Sequence, residues 1–210
     1  MTQLRERKKQ QTRQTISHVA TGLFIEHGFE RTTIADIAEA AGVSKMTVTN
    51  YFPRKEDLFF DAADMVVRWP ARTVAEREIG ESALAAIRRA YLAATERQDP
   101  LLGRFAPGFA RLIADSPALR SRLREVYDQQ EQALAAALTE AVGPGGGLLE
   151  PRLAAAQLAA TLRVLMEEAR HRTLADERDD DAFFSGLAAL AGQAFTLLEP
   201  ALGDYAVRSA

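Results

Sequence analysis

With 210 residues, 47% hydrophobic and 26% charged, the chain has ordinary globular usage and enough length for a sizeable core, which excludes disordered and collagen-like classes. It contains no cysteine, so disulfides, thiolate metal sites and thiol nucleophiles are excluded as well. The formal net charge of −3 argues against a nucleic-acid binder only until it is divided: residues 1–57 carry nine Lys/Arg against seven Asp/Glu, and the remainder is net acidic.

The N-terminus MTQLRERKKQQTRQ is charged and lacks the apolar run of a signal peptide. No later stretch holds the roughly 18 charge-free apolar residues of a membrane span, so a cytoplasmic protein with no membrane partner is expected. Arg5, Arg7, Lys8, Lys9 and Arg13 make this segment either an arm or first helical turns over a DNA backbone, or a solvated terminus.

Ile16, Val19, Ala20, Leu23, Phe24 and Phe29 then recur at three-to-four spacing, which predicts an amphipathic helix ended by Gly28. Thr33 before Ile34-Ala35-Asp36 is a capping-box arrangement that opens a second, short helix to about Ala41. Gly42 permits the sharp turn, and Ser44 caps a third helix, about Lys45 to Tyr51, with Val43, Val48 and Phe52 facing inward. Helix, glycine-containing turn and helix are the helix-turn-helix arrangement.

Pro53 cannot continue that helix, and KEDLFFDAADMVVRW predicts a fourth, helped by Glu56 and Asp57 at its start but without a capping residue. The polar ARTVAEREIGE beyond Pro70 reads as a joint. Further Ala/Leu-rich helices are predicted near 82–98, 101–115, 117–142, 150–174 and 181–202, divided by Pro100, Pro117, GPGGG (143–147) and the acidic loop ADERDDD. No strand-like alternation competes, so the class is all-α: a helix-turn-helix domain at 1–55 followed by a helical ligand-binding and dimerisation domain at 56–210, with the joint within about 53–70.

Residues 23–59, LFIEHGFERTTIADIAEAAGVSKMTVTNYFPRKEDLF, resemble the DNA-binding domain of the TetR family, the tetracycline-repressor-like regulators. The resemblance rests on the helix-one ending EHGF, the Thr-Thr start of helix two, the AGVS turn, the aromatic NYF and the KEDL start of helix four. It covers about the first 60 residues; beyond them only the all-helical pattern and the length agree. Three positions depart from the family pattern: Met46 where a small residue is common, Thr49 where a tyrosine usually falls, and Arg54 where a helix cap is usual.

The resemblance implies that helix three enters the major groove while the starts of helices two and four clamp flanking phosphates. The candidate DNA-contacting residues are therefore Ser44, Lys45, Met46, Thr47, Thr49 and Asn50 on helix three, with Thr33, Tyr51 and Lys55 suited to phosphate. The resemblance further implies double-stranded operator DNA as partner, a homodimer, and repression relieved by a small-molecule effector. The helices near 150–174 and 181–202 are apolar over more than one face, which fits pairing with a second copy in a four-helix bundle or a central place within a monomer.

Trp69, Tyr91, Phe105, Phe109, Leu112, Tyr127, Met166 and His171 form an aromatic-and-methionine set that lines either an effector pocket or ordinary core. Pro107-Gly108-Phe109 hints at a bend in that region. His18, His27 and His171 have no metal-ligand spacing, GPGGG lacks the following Lys-Ser/Thr of a phosphate loop, and ADERDDD lacks the glycine and terminal glutamate of a calcium loop. No metal, cofactor or catalytic residue is expected. The competing class is a ligand-binding or scaffolding protein whose helix-turn-helix no longer reads DNA, with an enzyme a distant third.

Overall fold

The computed structural model describes residues 2–143, 147–175 and 179–209, with side chains from Arg5 onward, and it is all-helical over them. The helices are α1 (Thr2–His27), α2 (Ile34–Ala40), α3 (Lys45–Tyr51), α4 (Lys55–Phe59), α5 (Ala63–Ala75), α6 (Ala83–Glu96), α7 (Pro107–Asp115), α8 (Pro117–Val142), α9 (Leu149–Leu174) and α10 (Asp180–Leu202), with a 3-10 turn at Pro100–Leu102. Residues 144–146 of the linker expected at GPGGG and 176–178 of the loop expected at ADERDDD lie outside the described residues.

Three sequence expectations need correction. The single helix expected from Lys55 is two, α4 and α5, because the chain turns at Phe60–Ala62. Pro70 does not end it: α5 continues to Ala75, and the carbonyl of Val66, which the missing proline N–H cannot serve, accepts a hydrogen bond of 2.6 Å from Gln130 Nε2 instead. The helix expected over 101–115 is a 3-10 turn followed by α7, so PGF starts a helix, where proline is well suited, and does not interrupt one.

Residues up to Ala63, together with 111–122, form one compact unit. Its core is Ile16, Ala20, Phe24, Phe29, Ile37, Val48, Phe52, Leu58 and Phe59, all buried. Phe24 and Phe29 lie 5.0 Å apart, and Phe59 meets Phe29 edge-on at 6.2 Å. The segment 111–122 is tied in by Ser116, whose hydroxyl donates to Glu30 at 2.7 Å, and by Arg122, whose Nε lies 3.0 Å from Asp57 Oδ1. Helix α1 begins at Thr2, so Arg5, Arg7, Lys8 and Lys9 project from a helix and not from an extended arm.

The second unit holds 64–110 and 123 onward. Here α10 packs on α6 and α9 through Leu84, Ile87, Leu158, Leu162, Phe183, Leu187 and Phe195. By length and composition α10 is apolar enough to cross a membrane; Phe183, Phe184, Leu187, Ala191 and Phe195 are buried in the core of this unit, while most of its apolar stretch is not. Gly103, at φ +103°, lets the turn after Leu102 settle on α9; a Cβ there would sit 2.8 Å from Ala169 Cβ. Segment 71–81 lies within this unit, and its end is strapped to the C-terminal tail: Gly80 N donates to Arg208 O at 2.9 Å, Arg208 N to Glu81 O at 3.0 Å, and Arg77 Nε to Ala206 O at 3.0 Å.

Candidate nucleic-acid interface

Short-range hydrogen bonds set how α2 and α3 meet. Thr32 Oγ1 donates to Gly28 O at 2.9 Å and so occupies a carbonyl beyond the end of α1. At Thr33 the expected capping box is present: Asp36 N donates to Thr33 Oγ1 at 3.2 Å, and Asp36 Oδ2 accepts from Thr33 N at 2.8 Å. These bonds, the backbone one foremost, hold the Asp36 carboxyl below the usual carboxylate range, so the box is complete at neutral pH and is lost only as pH falls through that lowered value. Replacing Thr33 with alanine is expected to cost about 1 kcal/mol of the first unit's stability, read by urea denaturation; an unchanged midpoint would show that the box is energetically idle.

After α2, Gly42 adopts φ +65°, Val43 N donates to Ala38 O at 2.9 Å and Gly42 N to Glu39 O at 3.1 Å. That paired pattern is the Schellman termination of a helix, and it turns the chain directly into α3. Ser44 caps α3 by accepting from Thr47 N at 3.0 Å.

With Val48 buried beneath it, α3 exposes Lys45, Met46, Thr49 and Asn50, and Met46 is 72% exposed. Not all of the candidate donors are equally available. Ser44 and Thr47 share a hydroxyl–hydroxyl bond of 2.8 Å, and Thr49 Oγ1 donates back to Lys45 O at 3.2 Å. Among the described residues, the exposed polar side chains of α3 that no hydrogen bond engages are therefore Lys45 and Asn50.

Two cations have structural seats that sequence reasoning missed. Arg13 Nη1 donates to Tyr51 O at 3.1 Å while its guanidinium lies 4.3 Å over the Phe52 ring, pinning the C-terminal end of α3 to α1. Lys55 Nζ donates to Phe29 O at 2.9 Å and Thr32 O at 3.2 Å and sits 4.3 Å over the Phe29 ring. Two of its three N–H donors thus close the turn between α1 and α2. Arg54, at the start of α4, has its backbone N–H covered by Asp57 Oδ2 at 3.2 Å, the half of a capping box that the third helical residue supplies.

In the second unit α5, α6 and the 3-10 turn border an open cavity of about 440 Å³ lined by Val66, Trp69, Tyr91, Leu101 and Leu102, with Arg68, Arg72, Arg97, Asp64 and Asp99 also on its wall. A smaller void of about 20 Å³ shares those five apolar and aromatic residues and adds Tyr127, Gln130, Leu162 and Met166. Of the residues singled out from sequence, Trp69, Tyr91, Tyr127 and Met166 are thereby brought together. Phe105 and Phe109 instead pair with each other at 5.1 Å, and His171 is exposed. Burial pushes the Tyr127 hydroxyl up to about 12, with the Glu167 carboxylate adding to the effect, so it stays a neutral phenol. Among the described residues no three His, Asp or Glu are placed to hold a metal ion. Leu153 and Val164 on α9 and Leu197 on α10 are exposed, Leu197 by 82%.

Comparison with known proteins supplies independent findings. Residues 16–62 match the family described as bacterial regulatory proteins, tetR family. The transcriptional regulator TcmR of Streptomyces glaucescens is 29% identical over 199 residues, covering 91% of this chain and 88% of that protein. The fold is similar to that of NalD, the secondary repressor of the MexAB-OprM multidrug efflux pump in Pseudomonas aeruginosa, with a TM-score of 0.54 at 23% identity over 89% of this chain and 97% of that one. It is also similar to the transcriptional regulator FadR from Bacillus subtilis in complex with stearoyl-CoA, with a TM-score of 0.51 at 21% identity over 88% and 96%.

Proposed function

The chain belongs to the TetR family of bacterial regulatory proteins, and from that premise we propose that it is a cytoplasmic homodimeric repressor that grips a pseudo-palindromic operator and lets go when a small effector binds. The family is one of DNA-binding transcriptional regulators and not of enzymes. The observation that carries the operator part is the division of α3: Val48 is buried in the core while Lys45, Met46 and Asn50 stand outward from a helix fixed at both ends, by Ser44 and by Arg13. A helix held this way presents a constant set of groups to the major groove. Thr33 and Tyr51 are the phosphate-contacting candidates beside it; the Lys55 ammonium is taken up by the Phe29 and Thr32 carbonyls instead.

Two observations support the rest. Exposed Leu153, Val164 and Leu197 on α9 and α10 offer an apolar surface to a second copy, which would place two reading helices about one DNA turn, roughly 34 Å, apart. The cavity beside Trp69 has the volume of a small-molecule site, and FadR, similar in fold, is one that holds a ligand. An effector acts by its difference in affinity between two dimer geometries.

The test is a mobility shift of the purified protein on DNA from upstream of its own gene, across a salt series and against random competitor, with sizing of the free protein. Specific, salt-sensitive retardation at dimer stoichiometry supports the proposal; a monomer that binds all DNA equally overturns it in favour of a ligand-binding protein that no longer reads sequence. Within that assay, Asn50→Ala is expected to change preference at one base pair by about tenfold, whereas Tyr51→Phe lowers affinity evenly across sequences. Equal, sequence-independent losses from both would refute this division of roles.

A further inference from the structure

The cavity of about 440 Å³ beside Trp69 contains one group that its own fold does not satisfy. Tyr91 lines both this cavity and the smaller void and is 3% exposed, yet its hydroxyl has no hydrogen-bond partner among the described residues. The ring itself is held, edge-on to Phe195 at 6.0 Å. Burial raises the hydroxyl above the usual phenol range, so it remains an O–H donor at any working pH. A buried donor without an acceptor is costly, which makes an incoming acceptor worth more here than at the surface.

The rest of the wall narrows what that acceptor belongs to. Trp69 offers an indole, and Val66, Leu101 and Leu102 offer aliphatic surface, so the body of the ligand is apolar. Among the charged wall residues, Asp64 and Arg68 neutralise each other at 2.6 Å, and Asp99 Oδ1 is occupied by Leu101 N at 2.9 Å. Arg72 reaches Glu76 only at 3.8 Å in an exposed pair, and Arg97 has no carboxylate partner among the described residues. Three arginines against two aspartates leave the wall with a net charge of +1.

We infer that this cavity is the effector site and that it takes an aromatic carboxylate bearing a second, hydrogen-bonding oxygen on its ring system: the ring packs on Trp69, the ring oxygen accepts from Tyr91, and the carboxylate meets Arg97 with Arg72. The inference rests on the effector-released reading above and gives that effector a chemical class. Trp69 is the sole tryptophan of the chain, so its emission reports directly on occupancy.

The experiment is isothermal titration calorimetry of the full chain with 1-hydroxy-2-naphthoate, followed in parallel by Trp69 emission, with 2-naphthol and decanoate as probes that each lack one half of the pharmacophore. Saturable binding of the hydroxynaphthoate with quenching of Trp69 is expected, about tenfold tighter than either partial probe, and about tenfold weaker in Tyr91→Phe. Arg97→Ala should weaken the hydroxynaphthoate and leave 2-naphthol unchanged. In the ligand-free protein Tyr91→Phe removes an unsatisfied buried hydroxyl, so its melting temperature should rise by about 2–4 °C, which separates lost binding from lost folding. Absence of binding, equal binding to Tyr91→Phe, decanoate binding as tightly as the hydroxynaphthoate, or a lowered melting temperature in Tyr91→Phe would each overturn the inference. The same samples run without ligand in the mobility shift keep the two proposals apart. Operator retardation without hydroxynaphthoate binding sinks the effector class alone, and hydroxynaphthoate binding without retardation supports the site while sinking the repressor.

Discussion

Lys55→Met is expected to lower the stability of the first unit by about 2–3 kcal/mol while leaving the salt dependence of DNA binding unchanged. Methionine keeps most of the apolar stem, so the loss isolates the ammonium. That group donates to the carbonyls of Phe29 and Thr32 at 2.9 and 3.2 Å and stands 4.3 Å over the Phe29 ring. Hydrogen bonds from a charged donor are each worth about 1.5–3 kcal/mol, and a half-buried cation over a ring adds about 0.5–1 kcal/mol, but water recovers part of both once the turn is free to solvate. The measurement is hydrogen exchange of α1 and α2 amides for stability, with binding constants across a salt series at a temperature where the variant is folded. A lysine on a phosphate behaves differently: its removal lowers the slope of log K against log salt by about 0.9 and leaves stability alone. That outcome would return Lys55 to the DNA backbone and make the observed seat a resting place.

The contrast between the two kinds of lysine explains what was legible in this sequence. The α2–α3 pair was readable because its determinants are near neighbours: Thr33 with Asp36, Gly42 after Ala41, Ser44 with Thr47. Each acts over three or four residues, the range over which side-chain chemistry competes directly with the backbone. The long helices were readable for a similar reason, since Pro117 marks the start of α8 and Gly143, at φ +72°, follows its end.

What escaped lies at long range or carries no punctuation. Arg13 reads as part of a basic terminus because its partner, the Tyr51 carbonyl, is 38 residues away, and a cation in a basic stretch looks solvated whatever holds it. The break between α4 and α5 falls at Phe60–Ala62, where neither glycine nor proline announces it. The cavity was half legible: an aromatic list contained Trp69, Tyr91, Tyr127 and Met166, but nothing in spacing separates them from Phe105 and Phe109, which satisfy each other. No sequence signal marks the Tyr91 hydroxyl as unsatisfied, because that is a property of everything packed around it.

Pro70 is the sharpest case of such long-range compensation, and it makes the second large prediction. Gln130→Met is expected to cost the second unit about 2–3 kcal/mol, and Pro70→Ala introduced on top of it to restore most of that loss. Inside α5 the proline deprives the Val66 carbonyl of its N–H partner, and the amide of Gln130, 4% exposed and 64 residues on, supplies the replacement at 2.6 Å. Methionine fills the same volume without a donor, so a part-buried carbonyl is left bare, whereas alanine at position 70 brings back the backbone donor that a helix provides by itself. Urea denaturation followed by Trp69 emission reads the unit directly, since Trp69 adjoins Pro70 in α5. If Pro70→Ala restores none of the loss, the carbonyl is being served by water and Gln130 is only a well-packed side chain. If the double variant recovers, the proline and the glutamine form one device: a helix interrupted in its own bonding and re-bonded from α8, at a point where Val66 and Gln130 both face the void that Tyr91 also lines. A ligand entering there would press on a bond that the helix cannot remake from its own backbone, and it is this dependence that gives α5, directly after α4 in the chain, a reason to respond to what the cavity holds.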